Sequence, residues 1–531
     1  MAVIEHSPGL PPQRGLPVAQ EQDGAAPSAA TAEHLRGSSL LLAGRFLAYG
    51  LEFIAQVLLV RYLAKSDFGA FSYALSVVVV LKSIAILELP NTLARFLPLY
   101  RERRDYGSLM GSVALAVGAI AGVAGLLVAG TYLAVGPLGF KPTDDPQALL
   151  LLLALGLLVP LEGLDALATA LLATLAGAAP IAFRQVLASA LKLGVVLALL
   201  FAGADVYFLA TGYVAVSALG LLVYAWSLLR TFRRQAWLPR WRPRQLSFPV
   251  REIFGFALPL LASTLVWVLM ESADAILLGF FQNSEAVANF RAVLPLPRVL
   301  ATLTLTFGVL YTPLAARLYA RGEHEELADL YRRVALWMTV LSFPIFALTF
   351  AFARATTIGL YGARYADAAP IMALLALGYY CFALTGFNGL TLKIYRQLRF
   401  AVSVDIAAAV INLAVNLVLI PRWGAVGAAV GTGGTMVVHN LLKQYGLWRY
   451  LGINLFQRRY IRAYAGLLAV ALALLGLQLA LPASLWVALP LSAVASLLVL
   501  WLARASLALE AVFPELQRWP WAAAIARTWL R

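Results

Sequence analysis

Arg45, Glu52 and Gln56 stand seven and four residues apart inside one apolar stretch, a spacing that puts all three on one face of a helix. The same count groups Arg291 with Arg298, and Asp405 with Asn412 and Asn416. Glu162 with Asp165, and Glu271 with Asp274, are i,i+3 pairs of acids, while Lys82 and Lys192 stand alone in their blocks. Two electrostatic uses suit such groups. A guanidinium donates two parallel hydrogen bonds from a planar fork, which fits phosphate, and shielding from water strengthens each bond. A carboxylate removed from water is a natural acceptor for a proton or Na⁺. Plainer uses stand beside these. Arg45 lies near the start of its helix and can snorkel to the surface. Glu52 can neutralise Arg45, and Glu271 or Asp274 can pair with the cations of the next block, because counter-ions are cheaper than empty charges. Asn412 and Asn416 suit interhelical hydrogen bonding as well as sugar contacts.

The blocks that carry these groups define the protein. Of 531 residues 62% are hydrophobic and only 13% charged, with a mean hydropathy of +0.82, against about 25% charged in a soluble domain. The apolar blocks run for about 20–28 residues, the length of a helix that crosses roughly 30 Å of hydrocarbon. They predict an all-α polytopic membrane protein of about fourteen helices, near 38–62, 68–90, 108–132, 148–174, 181–203, 206–230, 252–281, 286–315, 327–353, 368–392, 400–420, 424–450, 461–482 and 484–506. A charge at mid-bilayer costs about 2.5–3.5 kcal/mol on insertion scales, so each of those singled out needs a partner, a wet cavity or a function.

The net charge of +15 is topological. Loops after odd-numbered helices hold only Arg61, Lys65, Lys141, Arg354, Arg364 and Arg422, whereas those after even-numbered helices carry clusters such as Arg101, Arg103 and Arg104, or Arg230, Arg233 and Arg234. The positive-inside rule then puts the even loops and both termini in the cytoplasm, and removes the case for a nucleic-acid partner.

An internal repeat organises the helices. Leu58 to Ser76 lies over Ile276 to Leu294 at an offset of 218, matching Ser66 with Ser284, Asp67 with Glu285, Ala70 with Ala288 and Ala74 with Ala292. Ser followed by an acid is also helix N-cap chemistry, so local capping is the competing explanation. The repeat predicts two parallel six-helix lobes around a central cavity, with two helices appended. The expected layout is a disordered cytoplasmic tail at 1–37, a first lobe at 38–230 and a basic linker at 231–251. A second lobe at 252–450, the appended pair at 451–506 and a cytoplasmic tail at 507–531 complete it.

Other signals fall away. Gly424 to Gly434 lacks a Walker lysine and a preceding strand, and Gly427 with Gly431 reads as close helix packing. His6, His34, His324 and His439 have no ligand spacing, and the single Cys381 permits neither an intrachain disulfide nor a Cys-based metal site. No cofactor is expected. Glycan polymerases and ligases need a sizeable external loop with catalytic groups, and the odd loops are short and nearly uncharged.

The hairpin RYLAKSDFGAFSYALS (Arg61 to Ser76), ADAILLGFFQNSEAVANF (Ala273 to Phe290), GARYADAAPIMALLAL (Gly362 to Leu377) and INLAVNLVLIPRWGAVGAAVGT (Ile411 to Thr432) occur in an order that resembles the MOP exporter superfamily. The likeness is to its Wzx-type flippases of lipid-linked oligosaccharides, and covers about residues 38–506. One departure is that Ala275 follows Asp274, where members often place a basic residue. The resemblance implies a bacterial inner-membrane protein that moves an undecaprenyl-diphosphate-linked oligosaccharide across the bilayer for cell-surface polysaccharide, alongside a polymerase and chain-length proteins. The same resemblance points to Arg45, Lys82, Arg291 and Arg298 as the cations that hold the headgroup, and Lys192 is a further candidate from its intramembrane charge. Glu52, Asp274, Glu271, Glu162 and Asp165 serve ion coupling or as counter-ions, and Gln56, Asp405, Asn412 and Asn416 line a polar cavity. A drug/cation antiporter of the MATE branch and a lipid II flippase are the rival readings. Several intramembrane cations favour an anionic cargo over the first.

Overall fold

The computed structural model describes residues 29–175, 179–234, 246–455, 457–481 and 483–507. Most of both expected tails and the centre of the basic linker lie outside them. Hydrocarbon offers the backbone no hydrogen-bond partners, so each span satisfies itself as a helix. The first six spans are α1 (Ala29–Tyr62), α2 (Lys65–Ile86) continuing as α3 (Leu89–Glu102), α4 (Tyr106–Val135), α5 (Pro146–Gly156) continuing as α6 (Leu158–Leu175), α7 (Ala179–Ala202) and α8 (Val206–Arg234). The next four are α9 (Val250–Phe281), α10 (Ser284–Val293) continuing as α11 (Pro295–Arg321), α12 (His324–Phe346) with α13 (Ala353–Tyr361), and α14 (Ala369–Thr385) with α15 (Asn388–Ile394). Then come α16 (Leu398–Leu451), α17 (Arg458–Ala480) and α18 (Leu485–Leu507).

Thirteen stretches among the described residues are long and apolar enough to cross a membrane, and one of them crosses twice. The 54 residues of α16 would reach about 80 Å if straight, far beyond a bilayer. They fold back at Gly424, whose φ of 53° and ψ of −132° suit glycine. The return is tight: Asn412 donates to Thr432 Oγ1 at 3.3 Å across twenty residues, and a Cβ at Gly427 would meet the Leu419 carbonyl. Counting the two arms gives the fourteen spans expected, with the turn where the eleventh and twelfth blocks were divided.

Local signals set the helix starts. Asp105 accepts from the Ser108 amide at 2.9 Å to open α4, and Asp145 accepts from the Gln147 amide at 2.9 Å to open α5. Of the two serines aligned by the repeat, neither is a cap. Asn283 caps α10 by accepting from the Ala286 amide at 2.9 Å, and α2 has no side-chain cap.

The repeated segments meet. In the first lobe α1 packs on α7, and α8 on both α6 and α7; in the second, α9 and α14 pack on α16, and α11 on α12 and α14. The lobes join where α2 lies against α9 and α10, closely enough that a Cβ at Gly69 would run into the Ser284 carbonyl. Polar ties close the same end of the bundle, where the odd loops gather. Arg364 Nη2 donates to the Val60 carbonyl at 2.5 Å, Arg61 Nη1 to the Gly359 carbonyl at 3.1 Å, and Ser284 bonds Asp145. At the opposite end α3 touches α9 through Tyr100, which donates to Glu252 at 2.9 Å, while Phe46, Leu47 and Tyr49 of α1 are exposed. Helices α17 and α18 pack on each other, and α18 also rests on α12.

Candidate functional site

Five of the intramembrane charges meet inside the first lobe. Lys82 on α2 donates to Glu162 on α6 at 2.8 Å, and Lys192 on α7 lies 4.0 Å from the other oxygen of the same carboxylate. One turn on, Asp165 pairs with Arg184 of α7. These groups, with Ser217 of α8, line a cavity of about 260 Å³. Tyr213 and Tyr224 lie beneath Lys192 and Arg184, 5.2 Å and 4.8 Å from cation to ring centroid. Glu52 accepts from Ser189 of α7 at 2.9 Å and makes no ion pair with Arg45, so the neutralisation considered for those two residues does not occur in this structure.

A second cluster forms in the other lobe around Asp274, which is 3% exposed. One carboxylate oxygen accepts from Asn416 Nδ2 at 2.6 Å and the other from Thr432 Oγ1 at 2.8 Å. Asn416 also donates to Asn412 Oδ1 at 3.3 Å, and its own Oδ1 is buried without a hydrogen-bond partner. The folded-back α16 makes this possible, because its two arms bring Asn412, Asn416 and Thr432 against α9 from one side. The site is neutral in donors and rich in oxygen: a carboxylate, two amide oxygens and a hydroxyl, with one oxygen unsatisfied. That set suits a proton or a small hard cation.

Between the lobes, Arg291 of α10 donates to Ser76 Oγ of α2 at 2.7 Å, and Gln56 of α1 donates to the Arg291 carbonyl at 3.1 Å. Arg291 is therefore a pin across the interface, with its Nε buried and unpartnered. Arg298 pairs with Glu271 of α9, and about two fifths of its side chain is exposed. Tyr49 of α1 and Tyr379 of α14 lie within electrostatic reach of Arg298. Arg45, one turn before Tyr49, is exposed and has no ion-pair partner among the described residues. Asp405, expected to line a polar cavity, accepts from His439 Nε2 and Lys443 Nζ, both at 2.7 Å, and so ties the arms of α16 together instead.

The cations are thus mostly paired, in two groups, one per lobe, and do not crowd a single cavity. Arg184, Thr432, Lys443 and Tyr379 were missed in the sequence. Arg184 falls eight residues before Lys192, close enough to one helix face to have been found, but near enough to the helix start to read as flanking charge. Thr432 sits in a glycine-rich run that reads as packing alone.

Residues 34–318 match the family described as polysaccharide biosynthesis protein. An uncharacterized membrane protein of Methanocaldococcus jannaschii is 22% identical over 421 residues, covering 75% of this chain and 80% of that one. The structure of the lipid II flippase MurJ in an inward closed conformation is similar with a TM-score of 0.66 and 13% identity, over 90% of this chain and 99% of that one. An inward-facing multidrug resistance transporter of the MATE family, MOP superfamily, follows with 0.58 and 14%, over 76% and 94%. At such identities the likeness is one of fold. The family match spans more than half of the sequence, and the chain belongs to the polysaccharide biosynthesis protein family, as a multi-pass membrane protein with the MOP exporter fold.

Proposed function

We propose that this protein is a flippase that carries an undecaprenyl-diphosphate-linked oligosaccharide from the cytoplasmic to the outer leaflet of the bacterial inner membrane. The two lobes rock about their interface, so that the headgroup crosses while the lipid tail stays in the bilayer. The observation that carries this reading is that Arg45 of α1 and Arg298 of α11 are partly exposed, with Tyr49 of α1 within electrostatic reach of Arg298, and that α1 is exposed at Phe46, Leu47 and Tyr49, toward the end opposite the Arg61, Arg364 and Ser284 ties. Positive-inside orientation makes that end cytoplasmic, along with both termini, and the latched end external. The conformation is then closed at the external end, while at the cytoplasmic end Tyr100 still ties α3 to α9 on one side. Arg45 and Arg298 take the diphosphate, Arg291 holds the lobes in register, and Lys82 and Lys192 extend the headgroup path into the first lobe. Glu271 keeps Arg298 neutralised between cargoes.

Asp274, with Asn412, Asn416 and Thr432, is the coupling site, which binds a proton or Na⁺ so that transport follows an ion gradient. The layout of domains read from the repeat supplies the moving parts: residues 38–230 and 252–450 as lobes, joined by the 231–251 linker. The test is translocation of lipid-linked oligosaccharide in proteoliposomes by Arg45→Gln with Arg298→Gln. A loss of transport of tenfold or more is expected, and undiminished transport in the double variant overturns the reading. Export of a cationic drug by the wild type, with no lipid-linked cargo moved, identifies a MATE-type antiporter; transport confined to lipid II identifies that flippase branch.

A further inference from the structure

We propose that Arg61, Lys65 and Arg364, the cations gathered where the lobes are latched, form an exit site that takes the diphosphate of the outgoing headgroup as the lobes part. This deepens the flippase reading above and rests on it. The odd loops hold only Arg61, Lys65, Lys141, Arg354, Arg364 and Arg422, and three of these converge on the lobe seam. Arg61 lies in the last turn of α1 and Lys65 opens α2, both in the first lobe; Arg364 comes from the second, in a short helix (Ala363–Ala368) before α14. Each reaches across to a backbone carbonyl of the other lobe: Arg61 Nη1 to Gly359 at 3.1 Å, Lys65 Nζ to Arg364 at 3.5 Å and Arg364 Nη2 to Val60 at 2.5 Å.

Like charges so close together repel, and a counter-ion is the ordinary remedy. None of the three has an ion-pair partner among the described residues, although acids stand nearby: Asp67 is bonded to Ser66, and Asp145 to Ser284. Arg61 and Arg364 are exposed and each commits one terminal nitrogen, so most of each planar fork is unspent. A phosphate oxygen offers the fork two parallel bonds and an opposite charge, where a carbonyl offers one acceptor. Tyr365 adds a second sign. Its ring carries Lys65 and Arg364 at 5.4 Å and 5.5 Å, which places it at the seam, and its hydroxyl is buried without a hydrogen-bond partner. Closure and binding draw on the same N–H groups, so each excludes the other. A diphosphate between the lobes draws these donors off the Val60 and Gly359 carbonyls, and parting of the lobes frees them to receive it.

The experiment uses the full chain in detergent with Cys381→Ala and spin labels on Phe140→Cys and Trp423→Cys, both exposed and one in each lobe. Inorganic pyrophosphate and inorganic phosphate are the probes, and the label separation is read by double electron–electron resonance. Pyrophosphate is expected to shift the distribution to longer distances, and to do so equally when Arg45→Gln and Arg298→Gln remove the other proposed diphosphate cations. Lys65→Gln spares the two shorter latch bonds, so it should leave the separation without probe unchanged and raise the half-effect concentration about tenfold, as the loss of one charged donor implies. Arg61→Gln with Arg364→Gln should widen the seam unaided and bind pyrophosphate, by isothermal titration calorimetry, at least tenfold more weakly. No response of the wild type to pyrophosphate, or a response that Lys65→Gln leaves intact, overturns the proposal and reduces the three cations to a mechanical latch. Phosphate acting as strongly as pyrophosphate overturns the assignment to a diphosphate. Failure of the underlying reading looks different: wild type moves no lipid-linked oligosaccharide in proteoliposomes, while pyrophosphate still widens the seam and Lys65→Gln still weakens the effect.

Discussion

Replacing Asp274 with Asn separates a coupling carboxylate from a structural one. The side chain keeps its shape, but one acceptor oxygen becomes an NH₂ facing either Asn416 Nδ2 or the Thr432 hydroxyl, now 2.6 Å and 2.8 Å away. The hydroxyl can turn to accept, so an amide oriented toward Asn416 with its oxygen and toward Thr432 with its nitrogen loses little. Hydrogen bonding alone therefore costs the folded protein about 1–3 kcal/mol, the cost of one buried polar group left short of a partner, and the lost attraction for the buried Arg291 guanidinium adds to it. The charge is lost entirely, and with it any attraction for a cation. A bound ion stabilises the wild type by about 2.7 kcal/mol at one hundred times its dissociation constant. Thermal unfolding of the purified protein should rise with Na⁺, or shift with pH if the ion is a proton, in wild type and not in Asp274→Asn. In proteoliposomes the variant should still exchange cargo down its own gradient but no longer respond to an imposed Na⁺ or proton gradient. Gradient-driven accumulation by Asp274→Asn at the wild-type level would refute the coupling role and leave the carboxylate as a helix tie.

Lys82→Ala should cost toward the low end of about 3–5 kcal/mol, since it leaves Glu162 facing only a distant Lys192 while a quarter of each side chain is exposed; Lys82→Met with Glu162→Leu should restore much of that in a denaturation series. Arg364→Ala removes the 2.5 Å bond to the Val60 carbonyl and should shift the lobes toward the externally open state, read as a fall in cross-linking between cysteines placed at Asp145 and Ser284. Gly69→Ala puts a methyl group against the Ser284 backbone and should act in the same direction, with about 1–3 kcal/mol of overpacking; unchanged cross-linking in both variants counts against the latch. At the start of α4 the Ser108 amide holds the Asp105 carboxyl below its usual range, so its contribution is present at neutral pH and fades as pH falls through the folded value. Asp105→Ala should cost about 1 kcal/mol at pH 7 and progressively less in acid.

The spans were legible because a bilayer imposes one length and one composition on every crossing segment, and even the fold-back at Gly424 falls between two blocks of the right size. Other breaks left no comparable mark. The second span turns through Leu87 and Glu88, both left-handed with φ of 52° and 55°, and neither residue type announces it. The ionisable residues were visible for the same reason as the spans, since each interrupts an apolar run. Their partners were not. Asp405 finds Lys443 and His439 only once two arms of one hairpin are in register, and Glu162 finds Lys82 from a helix eighty residues away. Stripes on single helices predict which groups share a face but say nothing of which helix that face meets, so Arg45 and Glu52 looked paired and are not.

That pairing has a mechanical consequence. All seven ion pairs among the described residues lie within a lobe: three join α2, α6 and α7, one joins α9 and α11, one lies within α12 and two join the arms of α16. The polar ties between lobes are of another kind. Arg61, Lys65 and Arg364 donate to backbone carbonyls, Gln56 does the same, Arg291 meets a serine hydroxyl, Asp145 meets another, and at the opposite end the Tyr100 hydroxyl donates to Glu252. Separating two halves of a buried ion pair costs about 3–5 kcal/mol, whereas a hydrogen bond that water can replace costs about 0.5–1.5 kcal/mol. Rocking the lobes therefore breaks only the cheaper set, most of it at the exposed end where water enters as the lobes part. Arg291 is the exception, since its guanidinium lies deep beside Ser76 and needs a new partner when that contact opens. On the proposed flippase reading, an anionic cargo lying between the lobes supplies one, which would tie opening at the latched end to the presence of cargo.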